Sequence, residues 1–162
     1  MTDAALAIET ATGEDMTAVV ALWTACGLTR PWNDAAADFA LADHHANARV
    51  LVARRGGVLA GAVMVGHDGH RGAIYYLGVA AEQRRRGVGE ALVRAAEAWC
   101  RGEGVPKVNL LVRRENLGVL AFYAALGYAE NDCVSLYHNS DPQRATREAA
   151  DKAAWKARQS RS

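Results

Sequence analysis

The chain has 162 residues, a formal net charge of +1 and 51% hydrophobic residues. This length suits one ordinary domain, and the near-zero charge excludes a dominant electrostatic field for nucleic acid or an anionic membrane. Alanine supplies 34 of the hydrophobic residues, so large aliphatic side chains are used sparingly. This composition favours thin helices packed on a sheet.

Cysteine usage and the first residues indicate a reducing compartment. Cys26, Cys100 and Cys133 are odd in number and far apart in the sequence, which fits neither a disulfide framework nor a metal site. We interpret them as small core residues. The start, MTDAALAIETA, lacks the basic residues and apolar run of a secretory signal. We therefore expect a cytoplasmic protein without a bound metal.

The chain opens with a strand and two helices. A strand over 6–9 precedes Thr12 and Asp15, a pair whose spacing is typical of a helix start, and the first helix ends at Gly27. Asn33 and Asp34 predict the start of a second helix that ends near residue 44. The intervening sequence RPW, at 30–32, is then a loop.

Three antiparallel strands are predicted next. The apolar runs VLVA and VLAGAVMVG flank Gly56 and Gly57, and a glycine pair at this position is typical of a β-hairpin. The polar segment DGHRG at 68–72 indicates a second turn. A third strand follows over 73–79.

The second half of the chain predicts strands that alternate with helices. A helix opens near Gly89 and ends at Gly102, a strand covers 107–112, and Asn116 caps a helix that ends at Gly127. A last β segment covers 128–138. Strand–helix–strand crossovers require parallel neighbours, so we expect an α/β (α+β mixed sheet) fold with helices on both faces.

Residues 141–162 form a basic, alanine-rich tail. Six basic and three acidic residues give the stretch after 138 a charge of +3, and Trp155 is its one large apolar residue. Such a segment buries little surface, so we expect a marginal, exposed helix over about 143–157 or disorder. The folded domain is expected over 3–140.

The segment RRRGVG, from Arg84 to Gly89, carries the clearest chemical signal. It lies between a predicted strand and a predicted helix, where free N–H groups and the helix dipole favour an anion. Glycines at 87 and 89 allow the backbone to approach a phosphate closely. The spacing matches neither the dinucleotide fingerprint nor the P-loop, which leaves a pyrophosphate ligand of another kind.

A second signal is the sequence N-LGVLA-FY-AAL-GY, from Asn116 to Tyr128. Asn116 is a helix cap and Gly127 ends the helix. Tyr123 lies on the same helix as Leu120 and Leu126 and carries a hydroxyl that needs a partner when buried. An interfacial tyrosine and a catalytic one both satisfy this pattern.

Together these motifs, after a β meander, resemble the GCN5-related N-acetyltransferase (GNAT) superfamily over residues 6–138. The segments LWTACGLTRPWND and GHDGHRG further resemble a bacterial branch of this superfamily, the YpeA-like acetyltransferases. The resemblance implies a central mixed sheet of six or seven strands and acetyl-coenzyme A as the cosubstrate. It implies that the cosubstrate is bound by Leu77, Val79, Arg84, Arg85, Arg86, Gly87, Val88, Gly89, Asn116 and Tyr123.

The resemblance also implies catalytic roles. Tyr123 would protonate the departing thiolate, and the Val79 N–H would polarise the thioester carbonyl. We expect direct transfer to the amine, because no cysteine lies near the motifs in the sequence. Several candidates for the general base remain open, and Glu82 and His70 are our choices. The other candidates are His67 and Asp68, with Tyr75 or Tyr76 as relays through water.

The acceptor is expected to meet the loop between the first two helices. Arg30 and Trp32 lie where this family builds its acceptor wall, with Tyr76 on the neighbouring strand. Arg30 would suit an acidic group of the acceptor. A surface arginine beside a proline is the alternative interpretation of Arg30.

We expect an acetyl-coenzyme A dependent N-acetyltransferase that acts on an amine of a small molecule or peptide, without nucleic-acid or membrane partners. The fold also admits a homodimer. One alternative is a domain of the same fold that binds an acyl-coenzyme A as a sensor without turnover, although a sensor has no need for Tyr123 as an acid. Another alternative is a nucleic-acid-associated protein, against which the near-zero charge argues.

Overall fold

The computed structural model describes residues 4–161, and Asp3, the first residue of the expected domain, lies outside them. The chain divides into two compact units. The first unit holds the residues up to 29 together with 35–113, and the second holds 30–34 together with the residues from 114 onward.

The first unit is built on a five-stranded mixed sheet in the order β1-β2-β3-β4-β5. Its strands are β1 Leu6–Thr10, β2 Ala48–Arg55, β3 Val58–His67, β4 Gly72–Val79 and β5 Val108–Asn109. The first four strands pair antiparallel, and β4 pairs parallel with β5. The predicted mixed α/β fold is confirmed, but the described residues form five strands rather than six or seven.

The glycine pair turns the chain between β2 and β3 as predicted. Gly56 and Gly57 have φ values of 57° and 81°. Both central residues of a type I′ turn need positive φ, which glycine adopts without strain. The hairpin therefore follows directly from the sequence.

Helices cover both faces of the sheet, as the crossovers require. On one face lie α1 Met16–Ala25 and α2 Ala35–His44. Trp23 and Phe39 are fully buried there against Val52 and Ala62 of the strands. On the other face lies α3 Val88–Gly102.

The approach of α3 to the sheet is set by two glycines. A Cβ at Gly61 of β3 would lie 2.9 Å from side-chain carbons of both Val88 and Leu92. A Cβ at Gly72 of β4 would lie 2.7 Å from the sulfur of Cys100. Since real Cβ atoms do not pack this closely, the helix sits at a height that only glycine permits.

The prediction of a last strand over 128–138 is wrong. In the described structure these residues have no strand partner, and Val134, Leu136 and Tyr137 are each more than 80% exposed. The strand predicted over 107–112 is shortened to the two residues of β5. Alternating apolar residues favour a strand, but a strand also needs a hydrogen-bonded neighbour.

The second unit contains α4 Leu117–Ala125 and α5 Pro142–Gln159. The Asn116 side chain accepts a hydrogen bond from the N–H of Val119 at 3.3 Å, so the predicted cap is confirmed. The tail is a helix, and it is longer than the predicted 143–157. The Asp141 carboxylate caps it by accepting the N–H groups of Gln143 and Arg144.

The tail helix contacts the loop 30–34, which belongs to the same unit. The rings of Trp32 and Trp155 meet edge to face, with centroids 6.1 Å apart. The Arg30 guanidinium lies 5.3 Å from the Trp155 ring centre, and the Lys152 ammonium lies 5.7 Å from that of Trp32. Both are cation–π contacts, in which a positive charge is attracted to the face of an aromatic ring.

The cysteines differ in their surroundings. Cys100 is fully buried, as predicted, and burial raises the pKa of its thiol. Cys26 is partly buried, whereas Cys133 is exposed, so its assignment to the core is wrong. Within residues 4–161, no helix combines the length and the apolar character needed to span a bilayer.

We expect Gly61→Ala to lower the free energy of unfolding by about 1–3 kcal/mol, because the new methyl group overpacks the contact with α3. Gly102→Ala is the matched control: a Cβ there meets nothing within 4 Å, and alanine favours a helix by up to about 1 kcal/mol over glycine. Urea unfolding of both variants measures the difference. Equal stability of the two variants would contradict the packing role of Gly61.

Candidate active site

The carboxyl end of β4 is irregular. The pairing of β3 with β4 shifts register between Ala62 and Met64, and opposite this shift Tyr76 has a φ of 54°. Positive φ in a bulky residue is costly and persists only where surrounding contacts enforce it. Such irregularities concentrate at functional sites, so the carboxyl end of β4 is a candidate functional site.

Gly78 and Val79 follow the irregularity and lie against the end of α1. A Cβ at Gly78 would lie 3.3 Å from the sulfur of Cys26 and 3.4 Å from a ring carbon of Trp23. The Val79 carbonyl accepts hydrogen bonds from the Cys26 thiol and from Nε of Arg84, both at 3.4 Å. No cysteine is a neighbour of the motifs in the sequence, but the fold brings Cys26 to Val79 across 53 positions.

The loop from Arg84 to Gly87 leads from this strand end into α3. Arg85 has a φ of 58° and Gly87, the N-cap of α3, has a φ of 78°. Residues of alternating handedness turn successive N–H groups toward one side, the arrangement that forms anion-binding concavities. The side chains of Arg84, Arg85 and Arg86 are exposed beside it.

A residue that the sequence analysis missed supports this loop. Arg55, at the end of β2, donates from Nε to Oε1 of Gln83 at 3.1 Å and from Nη2 to the carbonyl of Arg86 at 3.4 Å. The Arg86 side chain donates to the same Gln83 oxygen at 3.3 Å. The only sequence signal for Arg55 is its place beside the glycine turn.

Asp38, a second residue that the sequence analysis missed, lies on the other face of the sheet. The Tyr76 hydroxyl donates a hydrogen bond of 2.7 Å to Oδ2 of Asp38, in the first turn of α2. The Tyr76 ring stacks on Trp23, with centroids 4.6 Å apart and an angle of 18° between the planes. A phenol and a carboxylate from separate elements are thus held together beside Gly78.

In the second unit, α4 carries Tyr123. Its side chain is 7% exposed and its ring meets those of Phe122 and Tyr128 edge to face. Burial raises the pKa of the phenol to about 12, because the charged phenolate would lose its hydration. Tyr123 therefore keeps its proton at neutral pH.

The structure brings together one part of the predicted site. Leu77, Val79 and the residues from Arg84 to Gly89 are continuous around the end of β4 and the start of α3. Glu82 is exposed in the short 3₁₀ turn Ala81–Gln83 between them. Asn116, Tyr123, Arg30 and Trp32 belong to the second unit.

The structure does not bring His70 to this strand end. His70 is exposed in the turn before β4, and the eight residues of β4 separate that turn from Val79 by about 23 Å. Asp68 accepts the N–H groups of His70 and Arg71 and organises the same turn, which lowers the pKa of its carboxyl. His70 therefore lies far from the candidate site at Val79, and its assignment as the base stays a prediction. Among residues 4–161, no group of three potential ligands is arranged to bind a metal.

Comparison with known proteins gives a family match and close relatives. The model of the Acetyltransferase (GNAT) family matches residues 11–128. An acetyltransferase of Pectobacterium atrosepticum is 42% identical over 123 residues, which cover 76% of this chain and 87% of that protein.

Solved structures share the fold at low identity. An aminoglycoside N-acetyltransferase AAC(6')-Iy in complex with CoA superposes with a TM-score of 0.75 at 18% identity, over 86% of this chain and 98% of the other. A glucosamine-6-phosphate N-acetyltransferase from Arabidopsis thaliana superposes with a TM-score of 0.66 at 19% identity, over 85% and 99%.

We expect the ultraviolet absorbance of wild type and Tyr123→Phe to change equally up to about pH 11, because the buried phenol stays protonated. Its stabilising contribution is complete below the unfolded pKa of about 10 and is lost as the pH rises toward 12. An alkaline titration at the tyrosinate band compares the two proteins. An additional phenolate in wild type with a midpoint near 10 would contradict the burial of this hydroxyl.

Proposed function

Because this chain belongs to the acetyltransferase (GNAT) family, we propose that it transfers the acetyl group of acetyl-coenzyme A directly to the nitrogen of an amine. The acceptor is a small molecule or a peptide. The observation that carries the proposal is the loop from Arg84 to Gly87, whose backbone and charge suit a pyrophosphate. Acetyl-coenzyme A supplies the activated thioester.

The residues of this loop fit such a ligand. A Cβ at Gly87 would meet nothing within 4 Å, so the space beside the backbone is open for an anion. The N–H groups from Arg85 to Gly89 would bind the pyrophosphate, and the three arginines would add charge-assisted contacts. Leu77 and Val79 would line the acyl arm, and Asn116 would hold the pantetheine.

Two groups serve the chemistry in this proposal. The Val79 N–H stabilises the oxyanion that forms when the amine attacks the carbonyl, while Cys26 and Arg84 bind the carbonyl of the same residue. Tyr123 donates its proton to the departing sulfur. A phenol with a pKa of about 12 is a weak acid, but it is fully protonated at the pH of the reaction.

Direct transfer is supported by the contact of Cys26. Its thiol donates a hydrogen bond to the Val79 carbonyl, and a thiol is a weaker nucleophile than a thiolate. The alternative chemistry, an acyl-enzyme, would require that proton to leave.

The function is tested with a panel of amines and peptides in the presence of acetyl-coenzyme A. We expect release of free thiol that depends on the amine, and no acetyl adduct on the protein when acceptor is absent. Intact-protein mass spectrometry measures the second quantity. An adduct on Cys26 would contradict direct transfer, and thiol release that no amine accelerates would favour a sensor of the same fold.

We expect Gly87→Ala to weaken coenzyme A binding at least tenfold, because a side chain at this φ strains the loop and projects into the approach to the backbone. Gly104→Ala is the matched control, since Gly104 lies beyond the other end of α3 with a φ of 79° and equally open surroundings. Calorimetric titration measures both. Equal affinities would refute the loop as the pyrophosphate site.

A further inference from the structure

Arg55 joins the sheet to the loop from Arg84 to Gly87. It is the last residue of β2, and its backbone pairs with both β1 and β3. Its side chain reaches the loop through two hydrogen bonds, to Oε1 of Gln83 at 3.1 Å and to the carbonyl of Arg86 at 3.4 Å. A residue whose backbone is fixed in the sheet therefore restrains one peptide of the loop.

The carbonyl that Arg55 binds fixes the direction of the next N–H. The peptide that joins Arg86 to Gly87 is planar and trans, so its N–H points away from its carbonyl. Since the carbonyl faces the Arg55 guanidinium, the Gly87 N–H faces the opposite side of the peptide. Gly87 is the N-cap of α3, and an N–H at this position has no partner within the helix. It is one of the donors that the proposed function assigns to the pyrophosphate.

The loop needs such a restraint because its backbone is strained. Arg85 has a φ of 58°, and the left-handed conformation is unfavourable for a residue with a Cβ. Contacts from outside the loop must hold it there. Gln83 adds to this restraint, because its Oε1 accepts a hydrogen bond from Nη1 of Arg86 at 3.3 Å as well as the one from Arg55. Arg55 is thus linked to Arg86 both directly and through Gln83.

The contacts of Arg55 depend on the shape of a guanidinium. Its Nε binds Gln83, its Nη2 binds Arg86, and its Nη1 donates to the carbonyl of Ala4 at 3.0 Å. These nitrogens have fixed directions in one plane. A lysine carries the same charge on a single nitrogen at the end of a flexible chain, so it does not hold three separate acceptors in this arrangement. A lysine at position 55 therefore separates the geometry of the side chain from its charge.

We propose that Arg55 is a positioning residue for the coenzyme, because it holds the peptide between Arg86 and Gly87 in the orientation in which the Gly87 N–H binds pyrophosphate. This inference rests on the proposed function and adds to it a residue that lies outside the segment 84–89. Arg55 acts through the loop rather than by contact with the coenzyme. The apparent affinity for coenzyme A falls in proportion to the fraction of molecules whose loop has this orientation.

Three variants and a control separate this role from a general effect on folding. Arg55→Lys keeps the charge and removes the geometry, Gln83→Ala removes the shared acceptor without a change in the sheet, and the third variant combines both. Arg54→Lys is the matched control, because Arg54 is the preceding residue of β2 and binds the carboxylates of Glu9 and Asp15. Urea unfolding records the stability of every variant.

Calorimetric titration with coenzyme A should show about tenfold weaker binding to Arg55→Lys, the loss expected when about a tenth of the molecules keep the binding orientation. We expect a loss of about threefold for Gln83→Ala. The double variant should lose about tenfold rather than the product of roughly thirtyfold, because the two residues act through one network. Arg54→Lys should bind coenzyme A as wild type does, even if its stability is lower.

Steady-state kinetics add a readout that a general structural defect would not give. With an amine that wild type acetylates, we expect Arg55→Lys to raise KM for acetyl-coenzyme A about tenfold and to keep kcat within about twofold of wild type. A variant with a disordered site would lose kcat instead. A fall in kcat without a change in KM would therefore assign Arg55 a general structural role and overturn the inference.

The remaining outcomes distinguish this inference from the function on which it rests. If Arg55→Lys keeps wild-type affinity, the geometry of Arg55 does not matter and the inference is overturned, with the acetyltransferase function intact. Should that variant not fold, wild-type affinity of Gln83→Ala has the same consequence, and an equal loss in Arg54→Lys also overturns the inference. If wild type binds coenzyme A but acetylates no amine, the proposed transfer fails and the affinities alone decide the role of Arg55. If wild type does not bind coenzyme A, both fail.

Discussion

Three glycines on β3 and β4 remove side chains where helices would otherwise be held away from the sheet. Gly61 and Gly72 admit α3, and Gly78 admits the end of α1. A methyl group at Gly61 or Gly72 would overlap side chains of α3, whereas at Gly78 the neighbouring side chains would have to move by a few tenths of an ångström. The first turn of α3 and the Cys26 end of α1 therefore have fixed heights on the sheet, and the loop from Arg84 to Gly87 begins and ends at fixed points.

Local signals predicted most of the fold. The Gly56-Gly57 turn and the apolar face of α3 depend on residues that are neighbours in sequence, so their physics is readable from sequence alone. The segment 128–138 shows the limit of this approach. Its alternation favours an extended backbone, but pairing is decided by a distant strand that the pattern does not contain.

The candidate site likewise has one part that local sequence predicts and another part that depends on residues distant in the sequence. The residues from Val79 to Gly89 could be predicted to lie together because one continuous stretch of chain forms the strand end, the loop and the helix start. Asp38 and Arg55 were missed because their partners lie 38 and 28 positions away. An aspartate in the first turn of a helix is ordinary, and only the fold shows that a strained tyrosine meets it. His70 was chosen from its residue type, and the length of β4 separates it from Val79.

The edge-to-face contact of Trp32 with Trp155 joins a loop near the start of the chain to a helix that begins at Pro142. The shape of loop 30–34 is thus partly encoded more than 100 residues downstream. A chain that is cut before Trp155 would leave that loop without its indole neighbour. The conformation of loop 30–34 in such a protein would lack the restraint that Trp155 supplies.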